Sequence, residues 1–353
     1  MDALAARPAP ATGGRGVTPR PARGFVLGKF MPPHNGHVFL CDFGRAYCER
    51  LTILVCSLPD DPIPGRLRHE WMQALFPDCD VRWCEEDLPQ EPADHPDFWA
   101  IWKDVVHRYG GAPDVVFASE SYGLRLAQEV GARFAPVDPD RIAVPMSGTA
   151  VRENPFACWD ALPAPVRPWF VKRLCLFGPE STGKSTLAAR LADRFGTISV
   201  PEYGRTYTEM FGGEVGVEDL HHIVAGHRAA VAAASRQARR ILIEDTDPVL
   251  TSVWCEMLTG RRDPALDAFD QLADHYLLLD VRAPWTDDGT RYFPDLADRQ
   301  RFLSLCIEAL ERRGASWTLI EGADWAAREA QAVAAALAAF PGLAEISPPP
   351  PRP

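Results

Sequence analysis

The chain has 353 residues, 46% of them hydrophobic and 24% charged, with a formal net charge of −11. That length exceeds the usual size of one core and argues for two domains, and no apolar run approaches the ~20 residues needed to cross a bilayer, so membrane insertion is not expected. The cations are scattered among acids, which argues against nucleic acid as a partner, and nine cysteines without a C-x-x-C pair indicate neither a disulfide framework nor a zinc ribbon but fit a reducing cytoplasm.

Residues 1–23 are mostly Ala, Pro, Gly and Arg and lack the apolar segment of a secretory signal, so a disordered leader is expected. Apolar runs then follow at GFVLG (24–28), LTILVCS (51–57), DVVFAS (114–119) and ARFAPV (132–137). Helix-like segments separate them near 36–48, 66–76, 97–109 and 121–130. Continuous apolar strands alternating with helices imply a parallel sheet covered on both faces, here over residues 24–160. The proline-dense stretch ALPAPVRPWFVK (161–172) suits neither a helix nor a central strand and reads as a linker. The pattern restarts with RLCLFG (173–178), TISVPE (197–202), RILIEDTD (240–247), HYLLLDV (275–281) and SWTLIEG (316–322), giving a second α/β domain over 173–342 and a Pro-rich tail over 343–353. The expected fold class is α/β with two parallel-sheet domains in series, the first Rossmann-like.

In the second domain GPESTGKS (178–185) follows a strand and opens a helix, the context that a P-loop demands. Gly178 and Gly183 permit the tight turn. Amides of Glu180, Ser181, Thr182 and the helix start at Thr186 face phosphate oxygens, Lys184 reaches the outer phosphates, and Ser185 ligates magnesium. ATP and Mg2+ are therefore expected. Ligands of an open parallel sheet gather at the carboxyl ends of its strands, which here carry PEYGRTY (201–207), EDTD (244–247) and an Arg- and Asp-rich stretch over 281–299. Phosphoryl transfer to a hydroxyl needs one carboxylate to orient the nucleophile, one to support the metal, and arginines to neutralise charge. Glu202, Asp245 or Asp247, and Arg291 with Arg299 fit those roles, although each carboxylate taken singly reads equally well as a helix cap or a solvated charge. Asp245 is assigned to the metal because its strand neighbours the P-loop strand in most such sheets. Glu202 is left for the acceptor, with Arg205 three residues on to hold it ionised.

The stretch GKFMPPHNGH (28–37) places a glycine, a cation, two prolines and two histidines where the first strand ends. An isolated H-x-x-H reads as loop or metal ligands. The companion segment AVPMSGTAVREN (143–154) offers Ser147, Gly148, Thr149 and Arg152 as a second anion clamp.

GKFMPPHNGH resembles the G-x-F-x-P-x-H-x-G-H signature of nucleotidylyltransferases, and SGTAVR (147–152) resembles their S-x-[ST]-x-x-R motif, with Met146 where isoleucine is usual before it. Joined to a P-loop domain with PEYGR and EDTD segments, the chain resembles over about residues 24–340 the bifunctional NadR-type family. That resemblance implies a nicotinamide-nucleotide adenylyltransferase followed by a ribosylnicotinamide kinase, with nicotinamide riboside, nicotinamide mononucleotide and NAD as partners. It implies that Gly28, Lys29, Phe30, His34 and His37 contact ATP, His37 stabilising the α-phosphoryl group, and that Ser147, Thr149 and Arg152 hold the departing phosphates. Some members carry an N-terminal helix-turn-helix, for which residues 1–23 are too short and proline-rich, so repression is expected to be absent. For a nicotinamide ring, Trp99 and Trp102 in the first domain and Tyr203 and Trp285 in the second could stack or pack in a core, and Asp247 and Arg205 face the acceptor. A nucleotidylyltransferase of another substrate fused to a different nucleoside kinase, or a nucleotide-sensing regulator with little turnover, are the alternatives; oligomeric state stays open.

Overall fold

Neighbouring apolar residues on one strand point to opposite faces of a sheet, so the runs read above must be covered on both sides. The computed structural model, which describes residues 20–212, 215–284 and 292–344, builds them that way. The expected leader and tail lie almost wholly outside those residues, as do Trp285 and Arg291. The chain's contacts divide between Pro145 and Met146 into two units.

The first unit runs β1 (Arg23–Gly28), α1 (Asn35–Tyr47), β2 (Arg50–Cys56), α2 (Gly65–Leu75), β3 (Asp80–Cys84), α3 (Phe98–Gly110), β4 (Val115–Ala118), α4 (Tyr122–Val130) and β5 (Arg133–Pro136). Its sheet has the order β3-β2-β1-β4-β5 with every pair parallel. Val26, Ile53, Val55, Met72 and Phe117 form the core on one face, and Phe25, Leu54, Trp102, Val105 and Val116 on the other. β3 was not among the expected strands. Its sequence DVRWC alternates exposed and half-buried positions at the sheet edge, so it carries no continuous apolar run.

The second unit runs α5 (Gly148–Glu153), α6 (Arg167–Phe170), β6 (Lys172–Phe177), α7 (Lys184–Phe195), β7 (Ser199–Val200), α8 (Tyr203–Phe211), α9 (Val217–Ser235), β8 (Ile241–Asp245), α10 (Pro248–Thr259), α11 (Pro264–Asp267), β9 (His275–Leu279), α12 (Leu296–Arg312), β10 (Trp317–Ile320) and α13 (Trp325–Ala339). Its sheet is again parallel, in the order β10-β9-β6-β8-β7, which places the P-loop strand β6 in the centre with β8 beside it. Residues 147–160 fall in this unit. In the proline-dense stretch, Pro168 sits in the first turn of α6, where the missing N–H costs nothing, and Leu162 and Val166 are fully buried. Among the described residues no helix is long and apolar enough to cross a membrane.

Candidate functional sites

In the first unit the sheet order reverses between β1 and β4, and the crevice of such a sheet opens at the carboxyl ends of those two strands. β1 ends at Gly28, directly before GKFMPPHNGH. His34 adopts extended backbone and caps α1, its Nδ1 accepting from the Gly36 N–H at 3.1 Å. Because Nδ1 is the acceptor, the neutral ring carries its proton on Nε2. The rings of His34 and His37 stack with centroids 3.9 Å apart, and Phe30 meets His37 edge-on at 5.0 Å.

Burial lowers the pKa of His34 to about 4, with a further push from the Arg141 charge. His37 is also driven well below the usual histidine range, by burial first, then by His34 and Arg141, against an opposing hydrogen bond with the Pro32 carbonyl. Burial thus keeps both imidazoles neutral at the strand end, His34 with its proton on Nε2 and His37 with its N–H directed to the Pro32 carbonyl. Lys29 is exposed beside them. Its carbonyl is held by the fully buried Arg68, which also donates to the carbonyls of Ile63 and Cys56 and pairs with Asp61. Of the aromatic candidates, Trp102 is buried with its indole N–H on the Pro89 carbonyl at 3.0 Å, a core role. Trp99 is half-buried under the guanidinium of Arg125.

In the second unit Ser147 caps α5 by accepting from the Ala150 N–H at 3.2 Å, and Arg152 donates to the Thr149 hydroxyl at 3.1 Å. The P-loop itself depends on two left-handed glycines. Gly178 has φ 128 and would bring a Cβ to 2.7 Å from the Leu279 carbonyl oxygen, while Gly183 has φ 86 and would bring one to 2.0 Å from Trp325. Any other residue at either position is strained and clashes. Lys184 is buried, its ammonium resting on the Pro179 carbonyl at 2.8 Å, and Thr182 donates to the same oxygen at 2.8 Å. Ser185 and Thr186 are exposed at the start of α7.

A cleft opens beside this loop, with Lys184, Glu202, Arg205, Thr246, Trp254 and Tyr292 in its wall. Glu202 and Arg205 stand 3.8 Å apart across one turn, the pairing expected from their spacing. Asp245 ends β8 buried, and its Oδ1 has no hydrogen-bond partner. Thr246 takes the left-handed conformation at φ 73, rare for a β-branched residue, and its neighbours diverge there. Asp247, expected against the acceptor, instead caps α10 through the Val249 and Leu250 amides and accepts the Tyr276 hydroxyl at 2.6 Å. Those bonds occupy its carboxylate.

Glu180 does not face outward from the loop either. Its carboxylate is buried and accepts from the backbone amides of Tyr292 and Phe293 at 3.0 and 2.6 Å. Arg299 is buried with its Nη2 on the carbonyls of Val281 and Ala283, and burial lowers its pKa. Tyr203 packs with Leu220 and Ile223. The aromatic wall is made by Trp254 and Tyr292, 5.9 Å apart and steeply inclined, which sequence reading missed. Trp254 lies mid-helix without a motif around it, and only the packing of α10 turns it toward the cleft.

The family described as AAA domain matches residues 173–328. The chain is 32% identical over 337 residues to the trifunctional NAD biosynthesis/regulator protein NadR of Escherichia coli K12, covering 86% of this chain and 80% of that protein. Two crystal structures share the fold across both units. A NadR protein in complex with NR gives a TM-score of 0.76 at 21% identity, covering 95% of this chain and 100% of that one. A NadR protein in complex with NAD and AMP-PNP gives 0.73 at 22% identity, covering 89% and 95%.

The depressed histidine pKa values carry a pH dependence of stability. Between about pH 4 and the unperturbed value near 6.5 an unfolded histidine binds a proton that folded His34 refuses, so stability rises with pH across that window. The contribution is complete above about pH 6.5 and is lost as pH falls toward 4. His34→Asn keeps an acceptor for the Gly36 amide but removes this titration. Its unfolding midpoint should drop less between pH 7 and pH 5 than that of the unsubstituted chain, and equal drops would contradict the assignment.

Proposed function

The chain belongs to the NadR family, and from that premise we propose that its second unit phosphorylates nicotinamide riboside with ATP and its first unit transfers an adenylyl group from ATP to the resulting nicotinamide mononucleotide, giving NAD and pyrophosphate. The observation that carries this reading is the presence in one chain of two separate anion cradles, each at the carboxyl end of the first strand of its own parallel sheet. The ligands named for the two crystal structures, NR in one and NAD with AMP-PNP in the other, agree with it.

In the kinase step the riboside hydroxyl attacks the γ-phosphorus, the bond to the β-phosphate breaks, and ADP leaves. Glu202, in the cleft wall and paired with Arg205, orients the hydroxyl and takes its proton. Lys184 exchanges the Pro179 carbonyl for phosphate oxygens as nucleotide enters. The unpartnered Oδ1 of Asp245, together with the Ser185 hydroxyl, suits magnesium, which would supply charge neutralisation at the outer phosphates. Trp254 and Tyr292 give the flat apolar wall that a nicotinamide ring needs.

In the adenylyl step a mononucleotide phosphate oxygen attacks the α-phosphorus and pyrophosphate departs. The attacking group is already ionised near pH 7, so no base is required. His34 offers its Nε2–H to the phosphates, and His37 stabilises the charge that develops on the α-phosphoryl group.

The two activities should separate by mutation, because each unit has its own core. Lys184→Ala is expected to abolish riboside phosphorylation and leave adenylylation of added mononucleotide near its original rate. His37→Ala should lower adenylyl transfer by roughly a hundredfold, the scale of losing one preorganised donor, with the kinase step intact. Loss of both activities in a folded variant of either kind would contradict the two-site reading.

Within the kinase, Glu202→Gln should reduce the single-turnover rate sharply at unchanged ATP affinity, whereas Asp245→Asn should first raise the magnesium concentration needed for activity. Exchanged phenotypes in magnesium titrations would mean that the two roles are reversed.

A further inference from the structure

The sheet order of the second unit limits how a nucleotide can lie across it. The P-loop follows the central strand β6, and the acceptor cleft lies on the β8 and β7 side, bounded by Glu202 and Thr246. A phosphate chain that delivers its terminal group into that cleft must extend its other end toward the opposite side, over β9 and β10. The residue met there is Trp325, at the start of α13, fixed by the Asp324 cap on the Ala327 amide at 2.7 Å.

Trp325 touches the phosphate loop directly, since a Cβ on Gly183 would fall 2.0 Å from its Cη2 and 2.3 Å from its Cζ3. Even so, 41% of the residue is exposed. The guanidinium of Arg328 lies over the ring at 5.9 Å from its centroid, and that guanidinium is immobilised by Thr182 O at 3.0 Å and by Asp280 Oδ1 at 2.6 Å. A rigid indole, backed by a cation and left bare beside the phosphate loop, has the form of a stacking surface.

We propose that Trp325 is the platform on which the base of the phosphoryl donor stacks in the second unit. The proposal rests on reading that unit as an ATP-dependent kinase. A base held through its flat face gains affinity with little discrimination among bases, so Trp325 serves donor affinity more than donor choice.

The test uses the full-length protein and compares ATP with tripolyphosphate, which can occupy the P-loop but has no base. Trp325→Leu keeps apolar cover on Gly183 while removing the π face. It should weaken ATP binding to the second unit about tenfold or more and leave tripolyphosphate binding unchanged, and Trp325→Phe should recover most of the loss. In turnover the same variant should raise KM for ATP with kcat little altered. Equal weakening of ATP and tripolyphosphate would show that Trp325 only shapes the loop, and unchanged ATP binding in Trp325→Leu would likewise overturn the proposal. Calorimetric binding in a His34→Ala/His37→Ala background, which removes both imidazoles of the first cradle, reads this comparison without turnover. A chain that phosphorylates another nucleoside, or none, would therefore still decide it.

Discussion

In each unit a fully buried arginine ties one carbonyl of the loop that follows the first strand, Thr182 in the P-loop and Lys29 in the first unit, to the ends of the neighbouring strands, and both sites are built on that tie. Arg328 donates to the Thr182 carbonyl in the P-loop and to the Asp280 and Ile320 carbonyls, while pairing with the Asp280 carboxylate. Arg68 does the same for the first unit through the carbonyls of Lys29, Cys56 and Ile63, with Asp61 as its counterion. Both side chains are fully buried. Taking such a charge out of water costs several kcal/mol, which only a full set of acceptors and a counterion can offset. The carbonyls at the strand ends supply that set.

Holding a loop by its carbonyls leaves its amides free for an anion. That is the electrostatic requirement of a phosphate cradle, and in the P-loop it is reinforced by sterics, because Gly178 and Gly183 press against Leu279 and Trp325 with no room for a side chain. In the first unit the cradle is completed by two histidines that burial keeps neutral. A neutral imidazole can donate to phosphate without the desolvation cost of a buried cation. On the proposed reading, a lysine in one cradle and histidines in the other would match the two bonds to be broken: the lysine would address outer phosphates that already carry full charge, and the histidines an α-phosphoryl group on which charge develops.

Much of this was legible in the sequence, for identifiable reasons. Strands buried on both faces announce themselves as apolar runs, and the two glycine-bearing turns sit directly behind such runs. β3 escaped because an edge strand alternates. The P-loop pattern located Lys184, and the spacing of Glu202 and Arg205 anticipated their pairing. Asp247 could not be told from a ligand, since a helix cap and a substrate contact use the same residue type, and its bonds to Val249, Leu250 and Tyr276 exist only in three dimensions. Arg68, Arg328, Trp254 and Trp325 bear no local signal at all. In a linear reading a buried guanidinium looks like any surface cation, and a cleft aromatic looks like core.

The central claim is that one chain carries out two successive transfers on one substrate. Purified protein supplied with magnesium, ATP and nicotinamide riboside, and followed for ADP, pyrophosphate, mononucleotide and NAD, tests it most directly. The account predicts that mononucleotide appears first and NAD follows, with one ADP and one pyrophosphate released for each NAD formed. Binding of ATP and riboside without either product, or NAD made from added mononucleotide while the riboside is left untouched, would contradict it.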